Sequence, residues 1–272
     1  MNKLKPLPEE WSGLLNNEQK EAIENINGPL LIIAGAGSGK TRVLTYRYAH
    51  LIKTYGINFE NVLAITFTNK AANEMKDRIS DLLNLELSPK WISTFHSLCV
   101  KMLRIHGHLI GFNNNFTIYD QSDSTKLVRN CMRDSDIDTK QYSPKRIQAH
   151  ISSLKNQRIL PGEAVEFAQS FFDVKVAEIY SSYQKKLMLA NSMDFDDLLI
   201  KAVELLETSD KSLNYWSSKF QYIMIDEYQD TNMVQYRLVE LLASKHKNIC
   251  VVGDSDQSIY AVSYTHLRAH ET

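Results

Sequence analysis

Residues 29–41 read Pro29-Leu-Leu-Ile-Ile-Ala-Gly-Ala-Gly-Ser-Gly-Lys-Thr41, and this stretch decides the fold. A short apolar run enters a glycine-rich turn, and Gly39-Lys40-Thr41 opens a helical pattern that Val43, Leu44 and Tyr46 carry on. Strand, turn and helix in that order are the context a phosphate-binding P-loop requires. Glycines let the backbone curl so that successive N–H groups converge on phosphate oxygens, with the helix N-terminus behind them. On this reading Ala34, Gly35, Ala36, Gly37, Ser38, Gly39, Lys40, Thr41 and Arg42 surround a nucleotide. Lys40 reaches the β- and γ-phosphates, and the Thr41 hydroxyl ligates Mg²⁺. The strict pattern has glycine at its first position, where this chain has Ala34. A glycine-rich turn that binds nothing is the alternative, and the complete strand-turn-helix order weighs against it.

A P-loop names a phosphate and not a reaction. The second half of the site is expected at Tyr222-Ile-Met-Ile-Asp226-Glu227, an apolar run that ends in two acids. A strand ending this way delivers both carboxylates to the carboxyl edge of a sheet, where open α/β folds bind ligands. Asp226 is the expected holder of Mg²⁺ through its water shell. Glu227 is the expected polariser of a water for in-line attack on the γ-phosphate. Two acids that merely end a strand are the alternative. A transferase has no use for a water-activating base here, so the pair points to hydrolysis.

Outward from these two segments, further Val- and Ile-rich runs stand at 61–66, 91–94 and 248–252. None alternates with period two, as suits strands buried on both faces of a parallel sheet. Helical patterns follow several of them, so the expected class is α/β, a doubly wound parallel sheet. From about residue 106 to 191 the pattern is helical, with polar breaks and one short strand-like run at 116–119. We expect a mostly helical domain at 106–190, inserted between two parts of the α/β domain, 1–105 and 191–260. Within it, residues 140–162 carry Lys140, Lys145, Arg146, Lys155 and Arg158 and no acid. A solvated helix face is the plain reading of that strip, and a phosphate-contacting surface is the other.

Bulk properties bound the rest. In 272 residues, 43% are hydrophobic and 23% charged, ordinary for a globular protein long enough to bury a large core. Lys+Arg is 31 against 32 for Asp+Glu, so net charge is silent on the partner. Cys99, Cys131 and Cys250 are far apart and form no metal-spaced pair. Reduced thiols are expected. The N-terminus has no secretory h-region, and no apolar run reaches the roughly 20 residues that span a bilayer. A cytoplasmic protein is the expectation.

Seven segments carry a resemblance. They are Leu15-Asn16-Asn17-Glu18-Gln19, the P-loop at 34–41, Ala64-Ile-Thr-Phe-Thr-Asn-Lys-Ala-Ala72, and Ser93-Thr-Phe-His-Ser97. Asp194-Phe-Asp-Asp-Leu198, Asp226-Glu-Tyr-Gln-Asp-Thr-Asn232 and Val252-Gly-Asp-Ser-Asp-Gln-Ser-Ile-Tyr260 complete the set. In this order they resemble the motifs of UvrD/Rep/PcrA-type superfamily 1 DNA helicases, nearest the PcrA branch, over residues 10–260. The resemblance implies a RecA-like motor domain (1A) carrying an inserted helical domain (1B). It also implies ATP and Mg²⁺ as cofactors, with single-stranded DNA and 3′-tailed duplex DNA as partners. Accessory repair or replication proteins are not readable from it.

The resemblance also assigns residues. Gln19 is implied to read the adenine edge, for which an amide offers both donor and acceptor. Asn16-x-x-Gln19 is equally a helix capping box. Phe67 offers a stacking face, and Thr68, Asn69 and Lys70 offer donors to backbone phosphates. A core phenylalanine and an ordinary helix cap would look the same. The resemblance makes this segment a single-strand DNA track, extended by His96. Gln257 is implied to sense the γ-phosphate, and Tyr260 to stack on a base. Asp194 reads as well as an N-cap with Asp197 in the first turn of a helix.

After Tyr260 the family continues with glycine, an aromatic residue and arginine, whereas this chain reads Ala261-Val-Ser-Tyr-Thr-His-Leu-Arg-Ala-His-Glu-Thr272. The break within one residue suggests that 261–272 is a foreign or frameshifted tail, and that the second RecA-like domain is missing. The expected function is the N-terminal ATP-binding part of an ATP-dependent 3′-to-5′ DNA helicase. The competing readings are an ATP- and DNA-binding module without motor activity, and a fragment of a nuclease-fused RecB/AddA-type enzyme.

Overall fold

The computed structural model describes residues 4–35, 37–85 and 89–254. In chain order the elements are α1 (Glu9–Ser12), α2 (Asn17–Glu24), β1 (Leu30–Ile33), α3 (Lys40–Lys53), β2 (Val62–Thr66), α4 (Asn69–Leu83), β3 (Ile92–Thr94) and α5 (Phe95–His106). Then come β4 (Thr117–Tyr119), α6 (Gln121–Asp134), α7 (Pro144–Asn156), α8 (Phe171–Leu189), β5 (Ser192–Asp194) and α9 (Phe195–Thr208). The series ends with α10 (Asp210–Lys219), β6 (Tyr222–Ile225), α11 (Met233–Ala243) and β7 (Ile249–Gly253). They form two compact units, one made of the chain up to Leu98 together with the chain from Asp210 onward, the other Cys99–Ser209.

The first unit is built on a five-stranded sheet in the order β1-β7-β6-β2-β3, every pairing parallel. Each run of Val, Ile and Leu read as a strand is one. Residues of β2 and β6 are buried along their whole length, as strands covered on both faces must be. The edge strands differ: β1 is half-buried, with Ile33 55% exposed, and β3 is buried throughout. Helix α4 buries Ala72, Met75 and Ile79 at helical spacing, and Met75 and Ile79 join Leu44, Tyr48 and Leu51 of α3 and Val62, Met224 and Val252 of the sheet in one core. Thr68 caps α4, its hydroxyl accepting from the Ala71 N–H.

The second unit is mostly helical, with β4 and β5 paired in parallel. Helices α6, α7 and α8 share a core of Val128, Met132, Ile147, Ile151, Val176, Tyr180 and Leu187. Here the reading of residues 140–162 as one basic strip is corrected. Lys155 is 1% exposed and reaches Asp194 at 2.6 Å and Asp197 at 2.8 Å. The Tyr183 hydroxyl donates to Asp194 and the Gln184 amide to Asp197. Burial by itself lowers the pKa of the Lys155 ammonium; the two carboxylates outweigh that and hold it above its ordinary value. Arg158 pairs with Glu207 at 2.7 Å. The acids absent from the strip arrive from α9 and its cap, so Lys155 is withdrawn from the surface, while Arg158 stays exposed but paired. Asp194 is the N-cap of α9 in a reciprocal box with Asp197, the plain reading of that motif.

All three cysteines are buried free thiols. Among the described residues, no helix is long and apolar enough to cross a membrane.

Candidate nucleotide-binding site

A sheet whose strands all run one way places every carboxyl end on a single edge. Three of those ends are neighbours, since β7 lies between β1 and β6. The loop after β1, the acids after β6 and the aspartate after β7 therefore converge without further design. The Ala34 N–H donates to the Gly253 carbonyl at 3.0 Å, tying the start of the loop to the end of β7.

Lys40, the first residue of α3, is buried at 9% exposure. Its ammonium donates to the Ala34 carbonyl at 3.0 Å and to Asp254 Oδ2 at 3.3 Å. Thr41 Oγ1 donates to Asp226 Oδ2 at 3.0 Å. Asp226 is 4% exposed. Burial pushes its carboxyl above the usual carboxylate range; the Thr41 hydroxyl opposes that and the Glu227 charge adds to it. Glu227 sits at φ 50°, in the left-handed region that a residue with a Cβ enters at a cost. Its N–H donates to Asp226 Oδ1 at 3.0 Å, and its Oε2 accepts from the Gln229 amide at 2.6 Å.

The loop itself is open where a phosphate would need room. Gly37 and Gly39 take φ 77° and 90°. A Cβ on Gly35 or Gly37 would meet no atom within 4 Å. The cleft in front of them, about 430 Å³, is lined by Gly37, Gly39, Lys40, Thr41, Arg42, Arg78 and Glu227. Two hard oxygen donors, the Thr41 hydroxyl and the Asp226 carboxylate, stand beside this cradle, and that donor set fits Mg²⁺.

Gln19 closes the capping box of α2 with Asn16 and also donates through Nε2 to the Ser38 carbonyl at 3.1 Å. It thus touches the loop as well as its own helix. Arg42 lies over the Tyr46 ring at 5.8 Å and lines the cleft.

The residues read as a DNA track follow β2 and β3, the other half of the same edge. Phe67 is half-buried and meets Phe95 edge-on at 5.7 Å. Asn69 and Lys70 are exposed, and Lys70 stands 4.0 Å from Glu74. His96 is half-buried in the first turn of α5. Ala36, Gln257, Tyr260 and the tail at 261–272 lie outside the described residues.

Three residues of the site escaped the sequence reading. Asp254 lay inside the quoted Val252–Tyr260 segment without a role. Gln229 lay inside a quoted motif without a role. Arg78, on the polar side of α4, carried no local signal at all.

The family model for the UvrD/REP helicase N-terminal domain matches residues 15–266. The chain is 50% identical over 246 residues to the ATP-dependent DNA helicase PcrA of Staphylococcus aureus, and 49% identical over the same length to that of Staphylococcus epidermidis. Each match takes in 90% of this chain and 34% of the relative. The chain therefore spans about a third of the length of the curated relatives it matches.

Proposed function

The chain belongs to the UvrD/REP helicase N-terminal domain family, and from that premise we propose that it binds Mg·ATP in the cleft between α3 and the acids of β6, as the nucleotide site of an ATP-driven DNA helicase. The observation that carries the reading is the Thr41–Asp226 hydrogen bond, which sets a P-loop hydroxyl against a strand-end carboxylate across an open anion cradle.

In this reading the ammonium of Lys40 exchanges its present acceptors, the Ala34 carbonyl and Asp254, for β- and γ-phosphate oxygens. Backbone N–H groups of the loop and the first turn of α3 hold the remaining phosphate charge. Arg42 and Arg78 supply further cations at the rim. Thr41 and Asp226 would hold Mg²⁺, which would supply positive charge against the charge that develops on the phosphates. Glu227 takes a proton from an attacking water as its oxygen bonds to the γ-phosphorus and the bond to the bridging oxygen breaks. Gln19 reads the adenine, and Gln257 senses the γ-phosphate. Phe67, Thr68, Asn69, Lys70, His96 and Tyr260 engage single-stranded DNA, along which the whole protein moves 3′ to 5′ and opens a 3′-tailed duplex.

Titration with a fluorescent ATP analogue tests the nucleotide site. Lys40→Ala is expected to weaken Mg·ATP binding by about tenfold or more, since a hydrogen bond to a charged group contributes about 1.5–3 kcal/mol. Equal affinity in the two proteins would remove the assignment.

A further inference from the structure

Gln229 lies in the short turn Tyr228–Asp230 just after β6 and is 2% exposed. A buried amide must find partners, and satisfaction alone would explain a hydrogen bond at each end. The identity of the partners says more. Gln229 Oε1 accepts from the backbone N–H of Asp254 at 3.1 Å. A backbone N–H can only donate, so it fixes which end of the amide faces β7, and the NH₂ end must face Glu227. There Nε2 donates to Glu227 Oε2 at 2.6 Å. One side chain thus bridges the ends of two adjacent strands, holding the cleft-lining carboxylate by one end and the backbone of Asp254, just after β7, by the other. Asp254 in turn accepts from Lys40, so Lys40, Asp254, Gln229 and Glu227 form a continuous line from the loop to the acid.

Glu227 has particular need of such a hold. Its left-handed backbone leaves the carboxylate on a strained turn closed by the Asp230 N–H to the Glu227 carbonyl at 3.0 Å. A base oriented by a third group is the usual arrangement where proton transfer demands a fixed geometry.

We propose that Gln229 is a positioning residue for Glu227, aiming its carboxylate into the cleft by anchoring it to the end of β7. The proposal rests on the reading of Glu227 as the group that polarises water. Displacing an aimed base by about 1 Å costs on the order of 10²-fold in rate. Gln229→Leu is therefore expected to slow hydrolysis about 10- to 100-fold while ATP affinity stays within about twofold.

A double-mutant cycle tests it, with single-turnover hydrolysis of labelled ATP measured with protein in excess, beside fluorescent-nucleotide titrations. The proteins are full-length versions of the helicase, stimulated with single-stranded DNA: the parent, Gln229→Leu, Glu227→Gln and the double variant. If Gln229 acts through Glu227, the double variant is no slower than Glu227→Gln alone. Additive losses, a fall in affinity parallel to the fall in rate, or a parental rate in Gln229→Leu would each overturn the proposal. Should Glu227→Gln itself hydrolyse ATP at the parental rate, the water-polarising reading fails, and it does so separately from anything Gln229 shows. Gln229→Glu keeps the acceptor for the Asp254 N–H but sets a second carboxyl group against Glu227 in place of the donor, so it is expected to slow hydrolysis at least as much and serves if the leucine variant does not fold.

Discussion

At the scale of single residues, the proposed nucleotide site is held by contacts between groups far apart in sequence. Lys40 meets Asp254, and Thr41 meets Asp226. The loop and the strand-end acids were legible because glycine spacing and an apolar run ending in two acids are local patterns. Asp254, Gln229 and Arg78 were not, because each acquires its meaning only from the placement of β6, β7 and α4. Gly39 shows what local chemistry still controls. At φ 90° it has the freedom that other residues lack, and a Cβ there would lie 3.0 Å from Gln19 Nε2. Gly39→Ala is expected to cost about 1–2 kcal/mol from the left-handed backbone alone, and to push the Gln19 amide off the Ser38 carbonyl. Thermal unfolding and nucleotide titration should both register it. A variant that keeps the parental melting temperature and affinity would mean that the loop takes another conformation.

At the scale of elements, the sheet was legible nearly to the residue, since runs of Val and Ile without alternation have few other uses. The short strand β5 was not, because Ser192-Met-Asp194 carries no strand signal, and it forms where β4 offers a parallel partner. The basic strip in α7 misled for a related reason. A window along the chain counts charges but cannot see that Asp194 and Asp197 lie against Lys155. Removing one member of a buried ion cluster leaves uncompensated charge and costs about 3–5 kcal/mol. Lys155→Met is expected to destabilise the second unit by that amount, seen as a lower midpoint in denaturant. Lys145→Met, at an exposed site on the same helix, should leave the midpoint within about 0.5 kcal/mol of the parent. Equal effects of the two would show that the buried cluster carries no special weight.

At the scale of the whole molecule, the chain covers 34% of its relatives' length and brings Lys40, Thr41, Asp226 and Glu227 to one side of the proposed nucleotide cleft. Unidirectional movement along a strand needs two grips whose separation changes with nucleotide state. The 272-residue chain by itself is expected to bind ATP and single-stranded DNA weakly, the latter more weakly as salt rises. Strand separation and DNA-stimulated phosphate release should be negligible. A gel assay on a 3′-tailed duplex beside a phosphate-release assay measures both, and robust unwinding would show that this third of the relatives' length suffices for the motor.

The ladder between β6 and β2 has a mechanical consequence. The Asp226 N–H donates to the Ile65 carbonyl at 3.0 Å, and Phe67 stands two residues beyond Ile65. Adjacent strands are about 4.8 Å apart, and a hydrogen-bonded, fully packed pair is stiff. The acid proposed to lie beside a phosphate and the ring proposed as a base platform are thus mounted on one short, rigid beam. A beam of that length does not store or delay a displacement. On the proposed reading, a displacement at one end reaches the other with no hinge between them, so a slow step is expected elsewhere than between the two proposed ligands.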